Sequence, residues 1–410
     1  MSYPELDLNL TVEQKATRDM IRKFGAEVMR PVGIQLDLLA DPAEVIAEKS
    51  VLWDVFRQYR QLGLHKRGLP KSVGGMLEDI DLMQGIIIAE EMGYADSGLA
   101  ISLGVAGNPF RYAALSDDPE IKGWARDYVN DLECKMIGCW AITEPDHGSD
   151  WVMATQDDFN KPETGPSLKA VKKGDEYVLN GQKSAWVSDG TMATHAALHV
   201  CLEPSKGMHG SGICILPLDR PGITKGKPLN KLGQRALNQG EIFFEEVVIP
   251  KKYMVVSDYN LSLPLMRGIL TNANTGMGVT FGGLAKAAFD EALKYARERV
   301  QGGIPIIQHQ NIKLKLIQMF RRVESARSLA RRTMAYNAAN APMGSPLHAI
   351  ASKVTSTEAA TEVAAEAIQI FGGNGLSKEY VIEKLFRDAK ASMIEDGENS
   401  ALSLAAAGFF

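Results

Sequence analysis

The sequence has few cysteines and no metal-binding motif. Its four cysteines, Cys134, Cys139, Cys201 and Cys214, form no CxxC pair, which argues against a zinc ribbon or a dense disulfide framework. The seven histidines are scattered, with no HExxH and no cluster with cysteine, so we expect no metal centre. A reducing compartment, the cytoplasm, is the expected location.

Long apolar runs and strongly charged stretches are also missing. No segment approaches about 18 unbroken apolar residues, and the acidic start MSYPELDLNL has no apolar run, so we expect neither a membrane span nor a secretory signal. The formal net charge is −5 and the basic residues form no stripe, which argues against nucleic-acid binding. No GxGxxG follows a predicted strand, so a Rossmann nucleotide site is not supported.

The residues that are present form an ordinary globular composition in three blocks. The 410 residues are 45% hydrophobic and 23% charged, which suits two or three domains. Residues 1–130 have helical periodicity, with Thr11 as the predicted N-cap of a helix that begins near Val12. Residues 131–250 change to short runs rich in β-branched and aromatic residues, and residues 251–410 return to long amphipathic helices. Helices and strands in separate blocks predict an α+β fold, mostly α.

The last two blocks have distinct internal patterns. In the middle block, runs such as EYVLNGQKSAWVS and GEIFFEEVVIP are separated by Gly, Pro, Asn and Asp, which is typical of an antiparallel barrel or sandwich. In the last block, Phe281, Leu284, Ala288, Ala292 and Ala296 recur every three or four positions. This spacing predicts the buried face of a helix in an antiparallel bundle.

Two segments of the middle block could bind a ligand, although each also has a structural explanation. TEPDHGSD (143–150) could hold a phosphate or a ring carbonyl through backbone amides and the Ser149 hydroxyl, or it could be a surface loop. AWVSDG (185–190) places Trp186 where an indole could cover a planar cofactor, or where it could pack in a core.

Three segments of the last block have the same ambiguity. In RERVQGG (297–303), Arg299 and Gln301 could bind an anion, but basic residues also suit a helix C-terminus. FGGNG (371–375) ends a helix and could let the backbone approach a flat ligand, or it could be a simple turn. IEDGE (394–398) could contain a catalytic carboxylate, or it could be a solvated helix end.

In this order and spacing, the segments resemble the acyl-CoA dehydrogenase family of flavoproteins along nearly the whole chain. TEPDHGSD is similar to the family's Thr-Glu-Pro…Gly-Ser-Asp signature, and LNGQKSAWVSDG (179–190) is similar to its Asn-Gly-x-Lys-x-Trp segment. Three further segments resemble other signatures of the family: KLGQRALNQGEIFFEEVVIP (231–250), GLAKAAFDEALKYARERVQGG (283–303) and AIQIFGGNGLSKEYVIEKLFRDAK (367–390).

The resemblance implies a three-domain fold and an FAD cofactor. The expected domains are an N-terminal helical domain (1–130), a middle β-barrel (131–250) and a C-terminal four-helix bundle (251–410). FAD is expected between the middle domain and the bundle, with its ADP end reaching a neighbouring subunit of a homotetramer, a dimer of dimers. Carried over by position, the FAD contacts are Trp140, Ala141, Ile142 and Thr143 along the flavin, Ser149 near the pyrophosphate or the substrate, Trp186, Val187 and Ser188 over the ring, Arg299, Gln301 and Gln310 at the adenine-diphosphate end, and Gln369, Phe371, Gly372 and Gly373 toward the FAD of the partner subunit.

The resemblance also implies a reaction and a base. The family removes the α-proton of an acyl-CoA thioester with a carboxylate while the β-hydride goes to flavin N5, and electron-transfer flavoprotein is the expected acceptor. Counting without gaps from RDAK (387–390) puts Asp396 at the base and Glu395 where an aromatic residue usually stands. Asp396 and Gly397 then join Ser149 as substrate-binding residues, with the Asp396 backbone amide supporting the thioester oxygen.

The sequence departs from the family pattern around this base. Aspartate is one methylene shorter than the usual glutamate, a loss of roughly 1.5 Å of reach, and aspartate at this place also occurs in the related nitroalkane oxidases. Some relatives have the base on an earlier helix, at a position that falls near Ala273, which cannot serve. The family's Arg and Phe at two further positions align with Asn274 and Gly302. A flavin oxidase of the nitroalkane or acyl-CoA oxidase type therefore stays open, as does a non-catalytic flavin- or CoA-binding relative.

Two segments of the first block bear on the acyl pocket. SLGVAGN (102–108) is expected to be a loop of small residues that bounds the pocket, which hints at a bulky or cyclic acyl group, as on alicyclic or aromatic-pathway CoA thioesters. Glu90 and Glu91 on the preceding helix are further carboxylates, for which we expect a structural role.

Overall fold

The computed structural model describes residues 3, 5–6, 9–154 and 156–410, and the predicted helical region comes first. Helix α1 (Val12–Phe24) starts with a capping box: Thr11 Oγ1 accepts a hydrogen bond from the Gln14 backbone N–H (3.2 Å), and the Gln14 side chain accepts one from the Thr11 N–H (3.0 Å). This confirms Thr11 as the N-cap. The other helices of the region are α2 (Arg30–Asp37), reached through the π-helical turn Gly25–Met29, α3 (Leu52–Gln61), α4 (Leu82–Ala95), α5 (Ser97–Val105), α6 (Asn108–Ala114) and α7 (Pro119–Asn130).

Residues 102–108 are helical for most of their length, so the expectation of a loop there was wrong. Only Ala106 and Gly107 lie between α5 and α6. The expectation failed because glycine and serine are poor helix formers in isolation. Here tertiary packing prevails: the Asp96 side chain caps α5, and Leu99 is fully buried in the N-terminal core.

One mixed sheet occupies the middle of the chain. Its strands are β1 (Gly138–Ala141), β2 (Lys169–Lys173), β3 (Glu176–Lys183), β4 (His195–Cys201), β5 (Ser211–Pro217), β6 (Ile223–Lys225), β7 (Ile242–Pro250) and β8 (Met254–Val256). The order is β6-β7-β3-β2-β4-β5-β8, with β1 paired to β4 outside this path. β1 and β2 both run parallel to β4, whereas the pattern predicted antiparallel pairing. Residues 142–194 connect β1 to β4 and residues 174–194 connect β2 to β4, and both connections are long enough for parallel pairing.

Long helices form the last region. They are α8 (Tyr259–Glu298), α9 (Gln310–Ala339), α10 (Pro346–Phe371), α11 (Ile382–Ser392) and α12 (Asn399–Ala407), with a small hairpin of β9 (Val300–Gln301) and β10 (Ile304–Pro305) after α8. Helix α10 packs against α8, α9 and α11. The predicted buried face of α8, from Phe281 to Ala296, lies in the bundle core. No helix in the described part of the chain is long and apolar enough to span a membrane.

A buried group of polar residues ties the three regions together. Lys384 Nζ of α11 donates to Asp96 Oδ2 at the start of α5 and to Asp388 Oδ2, each at 2.6 Å. The backbone N–H of Gln234, from the middle region, donates to Asp388 Oδ1. Burial alone would lower the pKa of Lys384, but the carboxylates of Asp388 and Asp96 raise it above its usual value. These four residues, here named the interdomain cluster, hold α11 against both other regions.

Candidate active site

A short turn with two adjacent carboxylates follows α11. Residues 395–399, here named the carboxylate turn, lead from α11 into α12. Asp396 has φ +52° and Gly397 has φ +100°, both in the left-handed region that Asp tolerates and Gly favours. A Cβ at Gly397 would lie 2.7 Å from Val152 Cγ1, so glycine is required for this close approach. The turn is therefore closely packed against the segment around Val152.

The loop TEPDHGSD reaches the carboxylate turn. Ser149 Oγ accepts a hydrogen bond from the Glu398 N–H at 2.9 Å, although the two residues are 249 positions apart. The Glu398 side chain in turn caps α12 by accepting backbone hydrogen bonds from its first turn. At the other end of the loop, Glu144 pairs with the fully buried Lys183 at 2.7 Å, which attaches the loop to the middle sheet.

Lys353 of α10 supports the carboxylate turn from the bundle side. Its side chain is fully buried, and Nζ donates to the Gly397 carbonyl and to Asn399 Oδ1, each at 2.8 Å. Thr357, one helical turn further along α10, accepts a hydrogen bond from Asn399 Nδ2 at 3.0 Å. Burial lowers the pKa of the Lys353 ammonium to about 8, against the opposing effect of the Asp396 charge.

The two carboxylates of the turn have different partners. Glu395 Oε1 accepts a hydrogen bond from Gln234 Nε2 at 2.6 Å, and burial raises the pKa of Glu395 to about 7. Asp396 keeps partial solvent access; burial raises its pKa, while Lys353 acts in the opposite direction. Among the described residues, nothing donates to the Asp396 carboxylate and nothing accepts from its backbone N–H. Asp396 therefore offers a free carboxylate and a free amide to a ligand.

Polar side chains link the AWVSDG segment to the carboxylate turn. Trp186 exposes 56% of its surface, a large exposure for an indole. The Trp186 carbonyl and Ser188 Oγ both accept from Gln239 Nε2 at 3.3 Å. Gln239 Oε1 accepts from Lys231 Nζ at 2.5 Å, and the charge of Glu395 acts on the Lys231 ammonium. The segment predicted to cover a cofactor ring is thus close to the carboxylates.

Other residues predicted to line the cofactor are engaged with protein. Trp140 donates its indole N–H to His199 Nε2 at 2.9 Å. Ala141 and Val187 are fully buried in the core of the middle region, and Ile142 packs in a small apolar cluster. For Ala141 and Val187, only the backbone remains for a cofactor.

A second group of predicted site residues lies at the opposite end of the bundle. Exposed side chains or glycines surround the β9–β10 hairpin and the end of α10: Arg299, Gln301, Gln310, Gln369, Gly372 and Gly373. Phe371 is instead buried and stacks on Tyr295 with ring centroids 4.0 Å apart, which brings the two segments together. Roughly 24 Å of α10 separates Lys353 from Gln369, at 1.5 Å per residue. Within one chain, the two groups are therefore far apart.

Three family models match the chain in the order of its three regions. The acyl-CoA dehydrogenase N-terminal domain matches residues 11–115, the middle domain matches residues 139–247, and the C-terminal domain matches residues 263–407. The chain belongs to the acyl-CoA dehydrogenase family. It is an oxidoreductase with that family's three-domain fold, as the sequence resemblance implied.

Similar proteins match this acyl-CoA dehydrogenase along nearly its full length. Cyclohex-1-ene-1-carbonyl-CoA dehydrogenase of Geobacter metallireducens is 28% identical over 393 residues, which cover 95% of this chain and 96% of that protein. The structure of butyryl-CoA dehydrogenase from Megasphaera elsdenii has a TM-score of 0.84 at 27% identity, over 98% of this chain and 99% of that one. An active-site mutant of nitroalkane oxidase, crystallised with 1-nitrooctane, has a TM-score of 0.85 at 19% identity, over 98% and 96% of the two chains, a likeness in fold.

Several features of this acyl-CoA dehydrogenase suit a flavin dinucleotide. The exposed Trp186 indole provides a flat apolar surface, and the Thr143 hydroxyl has no partner among the described residues. The two segments are adjacent because the Thr143 carbonyl accepts from the Ser184 N–H at 3.0 Å. At the other end of the bundle, no described carboxylate pairs with Arg299, and a Cβ at Gly372 or Gly373 would meet open space. Trp186 and Thr143 suit a planar ring, whereas Arg299 and the two glycines suit a diphosphate that the backbone approaches closely.

The carboxylates on α4 have structural roles, as expected. Glu90 is buried, with Oε1 accepting from Arg327 at 2.6 Å and Oε2 accepting from Arg331 at 2.7 Å. Glu91 Oε1 accepts from Arg22 at 2.8 Å. These hydrogen bonds occupy the oxygens that a catalytic base would need.

Sequence reasoning missed the residues that support the carboxylate turn. Lys353 had a detectable signal, because it falls on the buried stripe of α10 that also includes Ala349, Ser356 and Ala360. A lysine at such a position needs a partner. Gln234 had no such signal, since its contacts with Asp388 and Glu395 join segments more than 150 positions apart.

Proposed function

We propose that this protein is an FAD-dependent acyl-CoA dehydrogenase in which Asp396 removes the α-proton of the thioester. The observation that carries this proposal is that the hydrogen-bonding groups of Asp396 are unused by the described residues. It is the one residue of the carboxylate turn with both a carboxylate and a backbone N–H left without protein partners among the described residues. It directly precedes Gly397, and Ser149, the other residue that the resemblance assigns to substrate, contacts the same turn by accepting from the Glu398 N–H.

The surroundings of Asp396 support a role as general base. Burial raises the pKa of its carboxyl, which strengthens the ionised form as a proton acceptor, while the charge of Lys353 acts to keep it ionised. Removal of the α-proton places negative charge on the thioester oxygen. The free Asp396 N–H can donate to that oxygen, because it has no acceptor within the described protein. The carboxylate and the amide of one residue would then act on the α-carbon and on the thioester oxygen, which are both bonded to the carbonyl carbon.

FAD, when bound, would supply the acceptor for the β-hydride. Trp186, Ser188 and Thr143 would hold its ring next to the carboxylate turn. Arg299, Gln301 and Gln310, with Gln369, Gly372 and Gly373, would hold an adenine-diphosphate end. Because these groups lie at opposite ends of the bundle, we expect one chain to contact the ring of one FAD and the diphosphate of another, which requires a homo-oligomer, expected to be a tetramer. Electron-transfer flavoprotein is the proposed acceptor and the cytoplasm the proposed location.

For the substrate, we propose a cyclic or otherwise bulky acyl group. The similar protein from Geobacter metallireducens is named for a cyclic acyl-CoA, and so is one from Syntrophus aciditrophicus at 27% identity. In this chain, a Cβ at Gly104 in α5 would meet open space, so the helix before the expected pocket leaves room.

The test is anaerobic reduction of the purified holoenzyme by straight-chain, branched, cyclic and aryl-substituted CoA esters, followed by flavin absorbance. We expect bleaching, fastest with a cyclic ester. If no ester in the panel bleaches the flavin, the proposal is contradicted and a non-catalytic relative is favoured.

A flavin oxidase is the second candidate, because aspartate replaces the family's glutamate. Oxygen uptake with a nitroalkane or an acyl-CoA and no added acceptor would support it, whereas a reduced flavin that is stable in air would oppose it.

A further inference from the structure

A buried lysine faces the carboxylate turn without a carboxylate in contact. Lys353 is 0% exposed, and its ammonium donates to two neutral oxygens, the Gly397 carbonyl and Asn399 Oδ1. No carboxylate lies within ion-pair distance of it among the described residues, unlike Lys384, which contacts two. Burying an unpaired ammonium is costly, so a lysine is a poor choice here for packing alone.

The two acceptors of Lys353 lie in the carboxylate turn just after Asp396. Gly397 follows Asp396 directly, and both have left-handed φ values. The hydrogen bond to the Gly397 carbonyl fixes the peptide plane between Gly397 and Glu398, one residue after Asp396, and the hydrogen bond to Asn399 fixes the start of α12 behind it. Thr357 closes the arrangement through its hydrogen bond with Asn399.

We propose that Lys353 is a positioning residue for the base: its ammonium holds the carboxylate turn in the shape that presents Asp396, and its uncompensated positive charge keeps the Asp396 carboxylate ionised. This inference rests on the proposed function, in that Asp396 is taken as the base. It goes further by assigning a role to a residue that the resemblance does not place at the substrate or the cofactor.

Most other charged groups on the elements around Asp396 contact a group of opposite charge or carry the same sign as Asp396. On the turn itself, Glu395 and Glu398 are acidic, and Lys231 from the middle region acts on Glu395. His147 pairs with Asp150 in the Ser149 loop, and Lys384 pairs with Asp388 on α11. Arg327 and Arg331 of α9 both pair with Glu90. Helix α12 and residues 268–285 of α8 contain no ionisable side chain. Lys231 likewise has no contacting carboxylate in the described part of the chain and donates to Gln239, but its charge acts on Glu395, Asp388 and Asp189, whereas the charge that acts on Asp396 is that of Lys353.

The test measures ionisation of Asp396 directly in the holoenzyme. In a Glu395→Gln background, infrared difference spectroscopy across a pH series follows the carbonyl band of the protonated Asp396 carboxyl, identified by its absence after Asp396→Asn. We expect Lys353→Met to raise the midpoint of this band by about one to two pH units, since an opposite charge shifts a carboxyl by that order. The acid limb of the anaerobic flavin-reduction rate should move by the same amount. Lys353→Gln, which keeps a donor but loses the charge, should give a similar shift.

Thr357→Val is the matched control, because it breaks a hydrogen bond of the same arrangement without changing charge. It should leave the midpoint in place. If Lys353→Met and Thr357→Val titrate at the same pH, the charge role of Lys353 is wrong. Should the Lys353 variants not fold, Asn399→Asp serves instead: it places a carboxylate 2.8 Å from the ammonium and should also raise the midpoint. An unchanged midpoint there would equally overturn the inference.

Failure of this inference is distinguishable from failure of the proposed function. If no acyl-CoA bleaches the wild-type flavin, the proposed function fails, while the infrared midpoint still reports whether Lys353 acts on Asp396. If the wild type is bleached but Lys353→Met shifts neither the midpoint nor the rate profile, the function stands and the inference fails.

Discussion

Two buried lysines on neighbouring helices of the bundle have opposite surroundings. Lys384 in the interdomain cluster contacts two carboxylates at 2.6 Å, and its pKa is raised. Lys353 beside the carboxylate turn contacts two neutral oxygens, and burial lowers its pKa to about 8. The first lysine is neutralised locally and joins three regions of the chain. The second has no contacting carboxylate among the described residues, so its charge acts on groups beyond hydrogen-bond distance, such as Asp396.

Lys384 belongs to a structural site, whereas Lys353 lies beside the candidate functional site. In the interdomain cluster every carboxylate has a cation, so the charges serve cohesion. In the carboxylate turn Asp396 has neither a donor nor a contacting cation among the described residues, so its bonding capacity is left for a ligand. Chemistry is expected where polar groups are unsatisfied, and stability is expected where they are satisfied.

The largest contrast is expected from one isosteric change at each site. Asp396→Asn should lower the rate of anaerobic flavin reduction by about 10³–10⁴-fold, because the proton acceptor is lost, while a CoA thioester still binds. Stopped-flow absorbance with the best ester of the panel measures this rate. Asp388→Asn is the matched control in the interdomain cluster and should reduce flavin at a near wild-type rate. Equal rate losses in the two variants would erase the distinction between the sites.

The next largest effect is expected on stability at the interdomain cluster. Lys384→Met leaves Asp96 and Asp388 buried without their cation and should lower the free energy of unfolding by about 3–5 kcal/mol. Denaturant unfolding followed by circular dichroism measures the loss. The same substitution at Lys315, which pairs with Glu366 near the surface, should cost less than about 1 kcal/mol. A loss at Lys384 no larger than that at Lys315 would mean that the cluster is not cohesive.

A pH-dependent effect should distinguish the two acids of the carboxylate turn. The folded protein keeps a proton on Glu395 up to about pH 7, whereas an unfolded glutamate has released it above about 4.5. Folding stability should therefore decline as the pH rises from about 4.5 to 7, by on the order of 1–3 kcal/mol from this residue. In Glu395→Gln this decline should disappear, as measured by unfolding at a series of pH values. If the free energy of unfolding depends on pH in the same way for the wild type and for Glu395→Gln, the pKa of Glu395 is not raised in the folded protein.

The smallest effect is expected at the distal end of the bundle. Arg299→Ala should weaken FAD retention about tenfold, because a charge-assisted hydrogen bond to a diphosphate is worth roughly 1.5–3 kcal/mol. Recovery of free flavin fluorescence on dilution measures release. Arg297→Ala, an exposed arginine two positions earlier on the same helix end, is the control and should release FAD as the wild type does. If both variants release FAD at the wild-type rate, this end of the bundle does not hold the diphosphate.

Much of the fold could be predicted from the sequence because it depends on local pattern. The Thr11 cap and the buried face of α8 follow from short-range spacing, and both were confirmed. Pairing directions in the sheet were harder, since β1 and β2 run parallel to β4 across a long connection that pattern does not describe. The loop expected at residues 102–108 was wrong because packing of Leu99 outweighed the weak helix propensity of its neighbours.

The candidate site divides in the same way. Motif order placed Ser149 and Asp396 in one family's pattern, and the fold brings their loops into contact through Glu398. The environment of Asp396 could not be predicted from the sequence, because Lys353 and Gln234 contact the turn only through tertiary packing. Sequence spacing identifies the proposed base, whereas the charged groups proposed to act on it can be identified only in the structure.

The most direct test of Asp396 as the base is exchange of the α-proton without oxidation. Holoenzyme in deuterium oxide is incubated with a 3-thia-acyl-CoA, in which sulfur replaces the carbon that would lose hydride, and deuterium at Cα is measured by mass spectrometry. We predict incorporation by the wild type and by Glu395→Gln, and none above background by Asp396→Asn with the analogue bound. Undiminished incorporation by Asp396→Asn would contradict the assignment of Asp396 as the base.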